Sequence, residues 1–277
     1  MNHQTPQSLY LDLMKKALTF ALWDEPGVPV EMFNNFRPAH KRVMVKALAR
    51  GLRLLKYRAV TPVLHTRENR LSGRVWPVYA DTMLGLPGLD NIQHCVETAL
   101  REGVPGDLIE TGVWRGGGAI FMRAVLAAHG VGDRRVFVAD SFKGLPEADA
   151  SKYPQDAGSE FHTLSFLSVS RREVERNFEK YGLLDEQVVF LEGWFKDTLP
   201  AAPVERLAVL RLDGDMYEST SVALESLYPK PSAGGFCIID DYGLPGCRRA
   251  VDDYRAAERI DSPFVESDWH GAFWRKG

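Results

Sequence analysis

Cysteine is scarce in this chain, and long hydrophobic runs are missing. Among 277 residues there are three cysteines, Cys95, Cys237 and Cys247, scattered and without a CxxC pair. An odd, dispersed set supports neither a disulfide framework nor a cysteine-based zinc site. Cys237, inside an apolar stretch, reads as a small core hydrophobe. No apolar run approaches the ~18 residues that a bilayer span requires. The first residues place Gln4, Gln7 and Asp12 ahead of Lys15 and Lys16, without the basic-then-apolar order of a signal peptide, so a cytoplasmic location is expected. Net charge is nearly absent as well: 34 Lys/Arg against 37 Asp/Glu leaves -3, which does not suggest a nucleic-acid partner. There is no internal repeat and no low-complexity tract.

Acidic pairs at the ends of apolar runs are present. Leu207 to Leu212 leads into Asp213-Gly-Asp215, and Gly235 to Ile239 leads into Asp240-Asp241, 27 residues after the first acid. Between them lie a helix-length segment, Met216 to about Pro229, and a Pro/Gly turn, Pro231 to Gly235. Strand, helix, strand is the crossover unit of a parallel sheet. Both clusters then fall at carboxyl strand ends, where open α/β sheets bind ligands. So many carboxylates in one cleft cannot all stay charged without a cation, and a hard divalent metal is expected.

Upstream, a strand-like Asp107 to Thr111 runs into Gly112-Val-Trp-Arg-Gly116-Gly117-Gly118 and then a helix, about Ala119 to His129. The glycines allow a tight turn and close approach to a ligand, and the helix start offers free N–H groups. The spacing is neither G-x-G-x-x-G nor a P-loop, so a structural turn and a cofactor turn both fit. The next strand, Arg135 to Ala139, ends at Asp140, placed to accept hydrogen bonds from a ribose. A third strand, Gln187 to Leu191, is followed by Trp194 and Phe195, which could cover an adenine face or simply pack the core. Residues 146–170 are polar and irregular, too long for a plain connector, and suit a lid or binding loop. Two histidines, His162 in that loop and His270 near the C-terminus, are within reach of a substrate role or an exposed one.

The front of the chain differs. From Arg37 to Arg58 there are eight Lys/Arg and no Asp/Glu, interleaved with Val43, Leu48 and Leu52 at helical spacing. This basic amphipathic helix fits a solvated or lid element, or contact with an acidic partner or anionic membrane surface. With an earlier helix over about 6–22, residues 1–80 read as a helical N-terminal extension and 81–277 as a doubly wound α/β domain.

Five motifs, in order, resemble one family: Thr82-Met-Leu-Gly-Leu, Glu110-Thr-Gly-Val-Trp-Arg-Gly-Gly, Val138-Ala-Asp-Ser-Phe with Gly144-Leu-Pro, Leu210 to Ser219, and Gly235 to Tyr242. Together they are similar to the macrocin O-methyltransferases, S-adenosylmethionine- and magnesium-dependent enzymes acting on sugar hydroxyls of bacterial glycosides. The resemblance implies a class I methyltransferase Rossmann-like fold, with a seven-stranded, mostly parallel sheet and an antiparallel C-terminal hairpin. It implies Asp213, Asp240 and Asp241 as metal ligands, with Asp213 also the general base, and leaves Asp215 without a role. It implies cofactor contacts at Met83, Glu110, Thr111, Gly112, Arg115, Gly116, Asp140, Ser141 and Trp194. The acceptor would be a glycosidic small molecule or glycan in natural product biosynthesis, and a homo-oligomer is expected.

The chemistry agrees with that family. A sugar hydroxyl is far too weak an acid for a carboxylate alone to deprotonate, and a divalent cation lowers that barrier. Two other readings use the same residues. A haloacid dehalogenase-type phosphohydrolase also carries Asp-x-Asp after an apolar strand, but on its first strand, and leaves the glycine turn unexplained. An idle methyltransferase-fold binding protein would not need an intact acidic set.

Overall fold

The computed structural model describes residues 5–30, 38–63 and 65–277. Helix α1 (Pro6–Leu18) opens with Pro at its first position and a Thr5 cap whose hydroxyl accepts from Ser8 N. Its Leu11, Met14 and Leu18 are buried in the main core, so this part of the N-terminal region packs as one piece with the sheet domain. Two short strands, β1 (Val28–Pro29) and β2 (Val60–Thr61), pair antiparallel around the basic helix α2 (Ala39–Leu54). Arg37, the first residue of the expected basic segment, lies outside the described residues. After α3 (Arg67–Leu71) comes α4 (Leu86–Arg101), a helix the sequence reading left unassigned. Its Leu-Pro-Gly start resembles a turn, yet proline is well placed in a first helical turn.

The domain proper then alternates: β3 (Asp107–Thr111), α5 (Gly117–Ala128), β4 (Val136–Asp140), α6 (Arg171–Lys180), β5 (Val188–Glu192), α7 (Phe195–Thr198), β6 (Leu207–Leu212), α8 (Tyr217–Leu227), β7 (Pro231–Ile239), α9 (Pro245–Ala257), β8 (Val265–Glu266) and β9 (Ala272–Arg275). The sheet has seven strands in the order β5-β4-β3-β6-β7-β9-β8. The first five are parallel, while β9 runs antiparallel to both β7 and β8. This is the expected class I methyltransferase architecture. The stretch from Pro231 to Gly235 proves to be part of β7 rather than a preceding turn. Proline is tolerated as a first strand residue, and a register shift opposite Leu207 and Val209 absorbs Gly234 at φ 82°.

Alternation along the strands divides the core. Leu108, Val138, Val209 and Phe236 face one apolar layer with α1, α4, α5 and α6; Ile109, Phe137, Leu210 and Cys237 face the other, with α8, α9 and Trp274. Helix α5 is buried over ten consecutive residues, Gly117 to Leu126, and correspondingly apolar all round. Because β4 lies on one side of β3 and β6 on the other, the chain direction of winding reverses between β3 and β6. Their carboxyl ends form the crevice where such sheets bind ligands.

Candidate active site

Register puts the key side chains on one face before any loop geometry is considered. Glu110 on β3 is level with Arg211 on β6, which is level with Ile238 on β7. Asp213 and Asp240 follow two positions later on their strands, so the period of two carries them to the same face. The result is a buried ion cluster. Arg211, 1 % exposed, sends Nη1 to Glu110 Oε1 at 2.5 Å and to Asp213 Oδ2 at 3.1 Å. Its Nη2 lies 2.5 Å from Asp240 Oδ1. Glu110 Oε2 accepts from Ala119 N at 2.6 Å, at the start of α5. Burial pushes the Glu110 carboxyl up to about 7 against the pull of Arg211.

Beyond the strand ends the acids crowd further. Ligand oxygens of Asp213, Asp215 and Asp241 lie within 4.8 Å of one another. Asp215 sits at φ 55°, and Met216 N donates to Gly214 O at 2.5 Å across it, a tight γ-turn. The turn is fastened by Asp215 N donating to Asp241 Oδ2 at 3.0 Å. Burial, then the charges of Asp240 and Asp241, raises the Asp213 carboxyl well above the usual range. Asp241 is raised likewise by burial and by Asp215, and Asp215 is pushed up to about 8 by burial and by Asp213. Asp240 thus turns one oxygen toward Arg211, while Asp215, given no role by the sequence, joins Asp213 and Asp241.

The cluster floors a cavity of about 910 Å³. Of the expected cofactor contacts, Met83, Glu110, Gly112, Asp140, Ser141 and Trp194 line it; Thr111, Arg115 and Gly116 do not. Thr111 is fully buried behind it. Arg115 stacks on Trp114 and donates to the carbonyls of Val78 and Ala80 at 2.9 and 2.7 Å, fixing the segment that carries Met83. Gly116, at φ 88°, packs against α6, where a Cβ would stand 2.7 Å from Val174. Gly112 is required for two reasons: its φ is 79°, and a Cβ would lie 1.8 Å from the Asp213 carbonyl. Asp140 accepts from Val113 N at 2.8 Å and Phe142 N at 2.7 Å. It therefore braces the glycine turn.

The outer wall is aromatic, and the sequence reading had not singled it out. Trp76 and Trp269 line the cavity while remaining 47 % and 50 % exposed. Trp269 packs against His270 with ring centroids 4.6 Å apart and the planes tilted by 40°, and His270 Nδ1 is 3.8 Å from Asp241 Oδ1. His162, by contrast, is exposed and does not line the cavity. The lone arginine in the apolar run Leu207–Leu212 was the legible sign of a buried ion cluster, since a charge buried in a central strand needs partners.

Residues 7–276 match the model of the family described as Macrocin-O-methyltransferase (TylF). The chain belongs to the macrocin-O-methyltransferase family. It is 50 % identical over 270 residues to the 8-demethyl-8-(2,3-dimethoxy-alpha-L-rhamnosyl)-tetracenomycin-C 4'-O-methyltransferase of Streptomyces olivaceus, covering 97 % of this chain and 93 % of that one. It is 52 % identical over 220 residues to the mycinamicin III 3''-O-methyltransferase of Micromonospora griseorubida, covering 78 % and 87 %. The solved structure of the O-methyltransferase NovP superposes with a TM-score of 0.83 at 45 % identity, over 98 % of this chain and 99 % of that one. This macrocin-O-methyltransferase family member is thus an S-adenosylmethionine-dependent O-methyltransferase. Its Asp-x-Asp closes the fourth strand of the sheet, and neither the phosphohydrolase nor the idle-scaffold reading has support. Among the described residues no helix is long and apolar enough to cross a membrane.

Proposed function

We propose that this enzyme methylates a sugar hydroxyl of a glycosylated natural product, using S-adenosylmethionine and a divalent cation, magnesium foremost. The observation that carries the reading is the convergence of Asp213, Asp215 and Asp241 within 4.8 Å at the floor of a cavity shared with the glycine turn. The tetracenomycin relative, whose name carries a rhamnosyl group, supports a sugar acceptor.

The donor set fits a hard cation. Five carboxylates, Glu110, Asp213, Asp215, Asp240 and Asp241, crowd this floor, and the guanidinium of Arg211 pairs with three of them, Glu110, Asp213 and Asp240. Apart from Arg211, the His270 imidazole, 3.8 Å from Asp241, is the side chain that ion-pairs with this set among the described residues, and oxygen-only donors suit magnesium or calcium over softer ions. Asp213 and Asp241 would hold the ion, with Asp240 contributing the oxygen that Arg211 leaves free. When bound, the ion supplies positive charge that steadies the developing alkoxide and lowers the effective pKa of the hydroxyl. S-adenosylmethionine would supply the activated methyl group, and Met83, Gly112, Asp140, Ser141 and Trp194, which line the cavity, would hold it. Asp213 takes the hydroxyl proton. A second reading gives the proton to Asp215, because it sits within reach of the same oxygens and makes no ion pair with a cationic side chain. Holding donor and acceptor in line supplies much of the remaining acceleration.

The ion should leave a trace in stability. The folded-state pKa values of Asp213, Asp215 and Asp241 are raised above their unfolded values. For ion-free protein, the stability present at low pH is therefore lost as pH rises from about 4 through about 8. Magnesium should raise Tm more at pH 8 than at pH 5, measured by thermal unfolding with EDTA as the reference. An equal or absent increment at both pH values would count against the metal.

The exposed tryptophans address the aglycone. Two half-exposed indoles beside an acidic floor suit an acceptor with a polar sugar end and an apolar ring system. Trp269→Ala is expected to raise KM for a glycoside about tenfold with kcat changed less than about threefold, the signature of lost uniform binding. Unchanged KM across a glycoside panel would remove Trp269 from the acceptor surface.

A further inference from the structure

Two helices of the active site begin without a cap of their own. Helix α8 starts directly after Asp215-Met216, and α9 starts three residues after Asp241-Tyr242; neither Met216 nor Leu244 offers a capping side chain. Orphan N–H groups at a buried helix start must find an acceptor elsewhere. For α8 that acceptor comes from the long 146–170 segment, about 60 residues earlier in the sequence. Asp156, in the 3-10 turn Pro154–Asp156 and 4 % exposed, accepts from Tyr217 N at 2.7 Å through Oδ1 and from Glu218 N at 3.0 Å through Oδ2.

The same carboxylate reaches the start of α9. A Cβ built on Gly246 would stand 3.0 Å from Asp156 Oδ1 and 3.2 Å from Tyr217 N. Glycine there lets the two helix starts and one buried anion share the space. Among the described residues no cationic side chain pairs with Asp156, so the backbone N–H groups and the positive end of α8 are its compensation. Tyr153, three residues before it, packs its ring 6.1 Å from that of Tyr217.

We infer that Asp156 is a positioning residue: the loop over 146–170 sets the geometry of both acidic strand ends by capping α8 and wedging against α9. The loops it would hold are those carrying Asp213-Gly-Asp215 and Asp240-Asp241. The strained γ-turn at Asp215 sits two residues before Tyr217, between the sheet and the capped helix, so loss of the cap frees the turn to relax. The inference rests on the metal reading only through one of its two readouts.

The experiment compares wild type, Asp156→Ala, Asp156→Asn and Gly246→Ala in the full chain. Backbone amide exchange is followed by mass spectrometry, and Mn2+ affinity by electron paramagnetic resonance without acceptor. In Asp156→Ala, exchange should rise about tenfold across 213–220 and 240–248 while 107–111 and 136–140 stay protected, and Mn2+ binding should weaken about three- to tenfold. Asparagine keeps one acceptor and should lie between. Gly246→Ala should shift both readouts the same way, although alanine in a helix is otherwise favourable. If Asp156→Ala does not fold, the asparagine and Gly246 variants decide. Wild-type exchange at both acidic loops in the folded variants would overturn the inference. Absence of Mn2+ binding in wild type would sink the metal reading instead and leave the exchange result to judge Asp156.

Discussion

Arg211→Met is expected to be the most damaging single substitution for stability. It removes the cation shared by Glu110, Asp213 and Asp240 and leaves three carboxylates at the carboxyl ends of the strands without that counterion. Removing one member of a buried ion pair typically costs about 3–5 kcal/mol. For a chain of this size that is a fall in Tm on the order of 10 °C. The loss should depend on pH in a defined direction. The Glu110 carboxyl is already pushed up to about 7 with Arg211 opposing the shift, and without Arg211 it rises further. A group with a raised folded-state pKa contributes stability at low pH that disappears as pH rises. The deficit should therefore be largest above pH 7 and smaller near pH 5. Arg211→Lys keeps the charge but cannot span three partners, and should fall between. A methionine variant melting within about 2 °C of wild type at pH 8 would show that the cluster does not hold the strand ends.

The largest expected effect on activity is that of Asp213→Asn. Loss of a positioned general base and ligand should lower kcat by about 10²–10⁴-fold, while S-adenosylmethionine affinity, measured by calorimetry, stays within about threefold. Amide for carboxylate at this position also removes one negative charge from the crowded floor, so the folded protein should not be destabilised. Asp215→Asn separates the two readings of proton transfer. If Asp213 takes the proton, the Asp215 variant retains most of its turnover. If Asp215 takes it, turnover collapses while divalent-ion affinity survives. Full activity in Asp213→Asn would end its assignment as base and ligand alike.

Much of the architecture could be read in the residues. Apolar runs ending in acid or glycine located β3, β4, β6 and β7 because parallel strands, buried on both faces, are continuously hydrophobic. Helix α4 escaped because Pro87 and Gly88 look like a turn when its buried face, Leu89, Ile92, Cys95 and Val96, is not weighed against them. In the site, the carboxylates were legible as a group but their division of contacts was not. Asp240 and Asp215 differ only in what surrounds them: one oxygen of Asp240 meets Arg211, and Asp215 is swung toward Asp241 by a left-handed turn. Neither fact is local in sequence. Asp156 is invisible for the same reason, since the N–H groups it accepts from belong to residues 61 and 62 positions away. Arg115 shows the converse: a cation in a ligand-binding motif that spends its donors on the carbonyls of Val78 and Ala80.

The absence of a side chain at Gly112, with the Asp213 carbonyl filling its place, has a consequence for how such an enzyme changes its acceptor. The turn that would grip the methyl donor and the acid that would receive the proton are packed backbone to backbone, so neither can shift to suit a differently shaped sugar. Diversification is then confined to the periphery. Natural sequence variation that redirects the methyl group to another oxygen should accumulate around Trp76 and Trp269, and spare the seam between β3 and β6.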